Sequence, residues 1–147
     1  MNISPHFTFS EVTFSQEAIR KGIDNSLPES LVRNATRQAQ LMELVRTILD
    51  KPIFITSWYR SPEVNKGIGG RDSSMHMKSL ACDFVSPFGT PKEICEEILK
   101  NQWIKFDQLI LEFNRWVHIG LSEGRERGEV LTAVKENGKT VYLTGLQ

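Results

Sequence analysis

The chain has 147 residues, 18 basic and 18 acidic side chains that cancel, and an apolar fraction of 39%. That is one domain of ordinary size, residues 1–147, with enough apolar material for a single core. The charge balance argues against a nucleic-acid surface, which needs a basic excess, and no apolar run approaches membrane-spanning length, so no membrane insertion is expected.

The N-terminal stretch MNISPHFTFSEVTFS lacks a basic region followed by an apolar one, so no secretory signal peptide is expected and synthesis is assigned to the cytoplasm. FTFSEVTFSQEAIRKG begins with an extended piece; Ser15 then reads as the N-cap of a short helix that ends at Gly22. SLPESLVRNATRQAQLMELVRTILDKP predicts the longest helix, opened by Ser26 or Pro28 and stopped by Pro52. Within it Leu31, Ala35, Met42, Val45 and Leu49 recur at helical spacing and mark a core face. IFITSWY reads as a strand.

A loop of about twenty residues, RSPEVNKGIGGRDSSMHMKS, follows; without structure of its own, a loop of that length is functional or disordered. LACDFVS predicts a strand, and TPKEICEEILKNQ a helix with Thr90 as N-cap, Pro91 in the first turn and Glu93 closing a capping box. FDQLILEF and WVHIGL form a hairpin, and VLTAVKENGKTVYLTG a second one around the type I′ signal Asn137-Gly138. This order predicts an α+β fold with helices packed on a mainly antiparallel sheet. Cys82 and Cys95 fall in different elements and read as small buried hydrophobes in a reduced compartment, with a disulfide as the alternative.

The chemistry centres on Asp83, a carboxylate inside the apolar run LACDFV. Strand alternation puts Asp83 on one face with Ala81 and Val85, and His118 on one face with Trp116 and Gly120. The long loop delivers His76. Two imidazoles and a carboxylate suit zinc, which in a catalytic site takes three protein ligands and leaves a fourth position for water. A cation would also neutralise the buried Asp83. Without one, Asp83 reads as a hydrogen-bonded carboxylate in an α+β interaction domain.

The segments WYRSPEVNKGIGGRDSSMHMKSLACD and FDQLILEFNRWVHIGL resemble, in order, the zinc D-alanyl-D-alanine carboxypeptidases and the related phage endolysin peptidases, whose fold is shared with the hedgehog signalling domain. The family signature is roughly S-x-H-x-x-G-x-A-x-D, then a histidine segment on a strand. Ser74, His76, Ala81 and Asp83 match the first part, and Trp116 and His118 the second. The resemblance covers roughly residues 5 to 122; the last hairpin is less diagnostic. It implies a zinc peptidase acting on the stem peptide of peptidoglycan, at bonds next to D-alanine or at the L-Ala–D-Glu bond, released at lysis or carried in a virion.

This sequence departs from the family pattern twice. Ser79 stands where glycine is usual, which matters if the position needs a positive φ. Arg115 stands three residues before His118, where many members carry the catalytic glutamate; the nearest acid is Glu112. A two-residue turn at Asn114-Arg115 would turn Glu112 away from His118, whereas a three-residue turn, Phe113 to Arg115, would put both on one face. The resemblance implies Glu112 as general base, Arg60 as the cation on the scissile carbonyl oxygen, and Ser74 as a substrate contact. The alternatives are a surface carboxylate, an arginine paired with Asp72 or Glu63, and a turn-forming hydroxyl. Arg115 also motivates a rival function, a zinc-binding structural or virion protein without catalysis.

Overall fold

The computed structural model describes residues 1–147. Strands β1 (Asn2–Ser4) and β2 (Phe7–Thr8) pair as a short ribbon. Helix α1 (Phe9–Thr13) follows, where the sequence suggested extended chain. The cause is a capping box: Thr8 Oγ1 accepts the Glu11 N–H at 3.1 Å, and the Thr8 N–H donates to Glu11 Oε1 at 2.8 Å. Helix α2 (Gln16–Lys21) starts at Ser15, whose hydroxyl accepts the Ala18 N–H, and stops at Gly22 in the left-handed conformation.

The long helix begins later than its sequence suggested. Glu29–Leu31 winds as a 3-10 turn behind Pro28, and α3 runs Val32–Leu49. Asp50, at φ 52, ends it two residues before Pro52. Ala35, Met42, Val45 and Leu49 are buried, as their spacing predicts, whereas Leu31 is half-buried in the 3-10 turn; Gln38 and Ala39 are buried alongside them. Gln38 Nε2 donates to the Ile119 carbonyl at 3.0 Å, tying the helix to a sheet strand.

Strand β3 (Phe54–Ser57) leads into the long loop, which is not structureless. It holds helix α4 (Pro62–Gly67), started by the Ser61 hydroxyl and Pro62, and a 3-10 turn at Met75–Lys78. Then come β4 (Ala81–Val85), α5 (Pro91–Lys100) with its Thr90–Glu93 capping box, β5 (Gln108–Glu112), β6 (Trp116–Gly120), β7 (Glu129–Glu136) and β8 (Lys139–Thr144). Asn137 and Gly138 turn β7 into β8 with φ of 52 and 78.

The main sheet has the order β3-β4-β6-β5-β7-β8, with β5 and β7 parallel and every other pair antiparallel. One face carries Cys82, Phe84, Leu109, Leu111, Val117 and Ile119 onto α3 and α5, forming the core. Cys82 and Cys95 lie in that core as free thiols. The opposite face presents Asp83 and His118, partners across β4 and β6.

Ser79 ends the 3-10 turn at φ 61, so the position does need the left-handed conformation. The residue is fully buried and its hydroxyl has no protein partner. A non-glycine residue in this region costs about 1–2 kcal/mol, and an unpaired buried hydroxyl adds about 1–3 kcal/mol. Glycine gives back about 0.5–1 kcal/mol through the greater freedom of the unfolded chain, so Ser79→Gly is expected to stabilise the fold by at least about 1 kcal/mol, seen as a melting temperature at least about 2–4 °C higher. A lower melting temperature would show that the serine is accommodated without strain.

Candidate metal centre

The central side chains come from three backbone settings that hold one another. Asp83 lies mid-strand in β4 and His118 directly opposite it in β6. His76 sits in the 3-10 turn, which three hydrogen bonds stitch to the end of β3. The Arg60 N–H donates to the His76 carbonyl at 3.1 Å, the Trp58 indole N–H to the Ser79 carbonyl at 3.1 Å, and His76 Nδ1 to the Trp58 carbonyl at 2.7 Å. That last bond directs the His76 Nε2 lone pair inward.

Asp83 Oδ1 lies 3.3 Å from His76 Nε2 and 2.9 Å from His118 Nδ1. One donor atom from each of the three residues falls within 4.8 Å of the others. Zinc binds such donors at roughly 2.0–2.2 Å, which at tetrahedral angles separates them by roughly 3.3 Å. The donor types, their spacing and the outer hydrogen bond on His76 therefore fit a zinc ion. Burial would raise the Asp83 carboxyl, but His76 and His118 outweigh it and hold it well below the usual carboxylate range. Burial lowers His76; at His118 burial also lowers, but the hydrogen bond and charge of Asp83 together with the charge of Glu112 outweigh it and leave the imidazole raised.

The hairpin register answers the question that Arg115 raised. Glu112 pairs with Trp116, so it shares the His118 face. Phe113 and Asn114 take φ of 55 and 56, and the Arg115 N–H donates to the Glu112 carbonyl at 2.9 Å. Arg115 is thus the extra residue of a three-residue connection and points to solvent. The unfavourable backbone at Phe113 is anchored by its N–H on the Ala133 carbonyl and its ring on Trp116 at 5.6 Å. Glu112 Oε1 lies 3.5 Å from His118 Nδ1. Burial, then the neighbouring Asp83 charge, pushes the Glu112 carboxyl up to about 7, against the opposing effects of His118 and Arg60.

Arg60 reaches the same cluster. Its Nη2 lies 3.6 Å from Asp83 Oδ2, its Nη1 donates to Asn65 Oδ1 at 3.2 Å and its Nε to Ser57 Oγ at 3.3 Å. Neither Asp72 nor Glu63 pairs with it. Ser74 Oγ accepts the His76 N–H at 3.2 Å, so its hydroxyl caps the turn that carries His76. The cluster thus brings together a carboxyl raised by burial, a half-buried guanidinium and three ligand-type side chains beside one sheet face.

Two neighbours of this cluster escaped the sequence. Asn65 is 2% exposed and holds both Arg60 and the Arg71 carbonyl. Its signal was a polar residue one turn after Ser61 at a helix start, where an outward side chain is the default. Tyr142 comes from the last hairpin, and the Asn137-Gly138 turn that sets its register was visible.

A family model described as Peptidase M15 matches residues 5–120. No curated protein matches the chain.

Proposed function

The chain belongs to the Peptidase M15 family, and from that premise we propose that residues 1–147 form a single zinc peptidase domain that hydrolyses an amide bond in the peptidoglycan stem peptide. The bond is next to D-alanine, at L-Ala–D-Glu, or in a cross-link. The supporting observation is the His76–Asp83–His118 cluster with Glu112 beside it. No helix is long and apolar enough to cross a membrane. The resemblance to phage endolysin peptidases supports a phage or prophage origin, with action on the wall at lysis or from a virion.

His76, Asp83 and His118 would hold the zinc. When bound, zinc lowers the pKa of water from about 15.7 to about 7. Glu112 takes the proton of the attacking water and returns it to the leaving amine. Arg60 donates to the scissile carbonyl oxygen as that atom gains negative charge. Asn65 and Ser57 orient the Arg60 guanidinium, and the Trp58 carbonyl fixes the His76 tautomer. Ser74 adds a substrate contact beyond its capping bond.

Arg60→Ala is expected to lower turnover by about 100- to 1,000-fold, the usual effect of removing one donor to a developing oxyanion. Bound zinc should stay near one per chain; loss of zinc in this variant would assign Arg60 to metal retention instead. The peptidase proposal itself is tested with purified cell walls. Zinc-loaded protein should release new amino groups, and chelation should stop the release. A zinc-bound but inert protein would favour the binding-protein alternative. That alternative rested on Arg115; the pairing of Glu112 with Trp116, on the face of His118, supports the peptidase reading.

A further inference from the structure

Asn25 lies between α2 and the 3-10 turn at Glu29–Leu31. Asparagine is mostly an exposed residue type, yet here it is 7% exposed and both polar atoms of its side chain are engaged. Nδ2 donates to the Thr13 carbonyl at 2.9 Å and to the Tyr59 carbonyl at 3.1 Å, and Oδ1 accepts the Ser61 N–H at 2.7 Å. The first of these carbonyls ends α1, where helix carbonyls lack partners of their own. Two donors and one acceptor at such short reach are what a side-chain amide supplies.

Arg60 stands between the two residues that Asn25 grips. The Tyr59 carbonyl belongs to the peptide plane before the Arg60 Cα, and the Ser61 N–H to the plane after it. The first plane is held a second time, by the Arg60 N–H on the His76 carbonyl at 3.1 Å. Peptide groups are planar, so the orientation of these two planes fixes φ and ψ of Arg60, and with them the direction in which its side chain leaves the backbone. Ser61 also starts α4: its hydroxyl accepts the Val64 N–H at 3.2 Å, and its carbonyl the Asn65 N–H at 2.9 Å. Asn65 Oδ1 in turn accepts from Arg60 Nη1. One buried amide therefore sets both the root of Arg60 and the helix that holds its tip. None of its three bonds goes to His76, Asp83, His118 or Glu112.

We propose that Asn25 is a positioning residue for hydrolysis, acting through Arg60: it fixes the backbone on both sides of Arg60 so that the guanidinium meets the scissile carbonyl oxygen. This rests on the peptidase proposal above. A tilt of about 10° at the Arg60 Cα moves a guanidinium roughly 6 Å away by about 1 Å, and a misplacement of about 1 Å costs on the order of 100-fold in rate.

The test is a double-mutant cycle with zinc-loaded protein and soluble stem-peptide fragments of peptidoglycan. Asn25→Ala should lower kcat by about 10- to 100-fold, with KM within about 3-fold of wild type and zinc near one per chain. In an Arg60→Ala background the same substitution should cost less than about 3-fold, because the residue it acts through is already gone. Equal losses in the two backgrounds, or a kcat within about 3-fold of wild type in Asn25→Ala alone, overturn the proposal and leave the peptidase reading standing. Melting temperature monitors folding, and Asn25→Ser is carried through the same cycle if the alanine variant does not fold. If wild type cleaves nothing, the peptidase proposal fails and a second readout decides on Asn25. Solvent exchange of the Arg60 Nε–H, identified by NMR from its loss in Arg60→Ala, should be at least about 10-fold faster in the Asn25 variant as the bond to Ser57 loosens. An unchanged exchange rate shows that Arg60 is held without Asn25 and overturns the proposal.

Discussion

Glu112→Gln is expected to lower peptidoglycan hydrolysis by about 100- to 10,000-fold, the range supplied by a positioned general acid–base. The substitution keeps shape and removes the proton acceptor. Glu112 sits at the end of β5 with its carboxylate 3.5 Å from His118 Nδ1, and no other carboxylate besides Asp83 lies in the cluster. Zinc content and melting temperature should match wild type, because Glu112 is outside the ligand set. Activity within about 10-fold of wild type would remove Glu112 from the mechanism, since even a weak acid–base contribution exceeds that.

Asp83→Asn is expected to cost the metal. Asn keeps the volume of the side chain but supplies no charge to offset a divalent cation in a buried site, where an uncompensated charge is expensive. Asp83 is also the centre of the donor set, with His76 Nε2 and His118 Nδ1 on one oxygen and Arg60 facing the other. Zinc should fall below about 0.1 per chain, and hydrolysis with it. A second signature is independent of activity. Ligand at 1,000 times its Kd stabilises wild type by about 4.1 kcal/mol, or roughly 8–16 °C in melting temperature for a chain of this size. That zinc-dependent shift should vanish in Asp83→Asn. A retained shift would place the metal elsewhere.

The sheet was legible wherever period-2 alternation decides it. Alternation puts Asp83 on a face with Ala81 and Val85, opposite Cys82 and Phe84, and His118 on a face with Trp116 and Gly120; the pairing of Asp83 with His118 across β4 and β6 is what joins the two faces. Helix ends were legible where caps are strong, as at Ser15 and Thr90. The same rule applied at Thr8 and Ser61 finds α1 and α4, which apolar periodicity alone is too short to show. The place of Glu112 was not legible. It depends on one residue of register, and that register rests on Phe113 in a left-handed conformation which a bulky side chain rarely adopts. The Asn137-Gly138 turn was legible, yet the parallel docking of β7 beside β5 was not, because that contact is set by packing across the sheet. For that reason Tyr142, with the Arg71 guanidinium over its ring, could be placed beside the cluster only from the structure.

Mass spectrometry of the fragments released from purified peptidoglycan tests the central claim most directly. Zinc-loaded wild type should yield stem-peptide fragments that each carry the mass of one added water, all from cleavage at a single kind of amide bond, and Glu112→Gln should yield almost none. Intact stem peptides after incubation with zinc-loaded protein would contradict it.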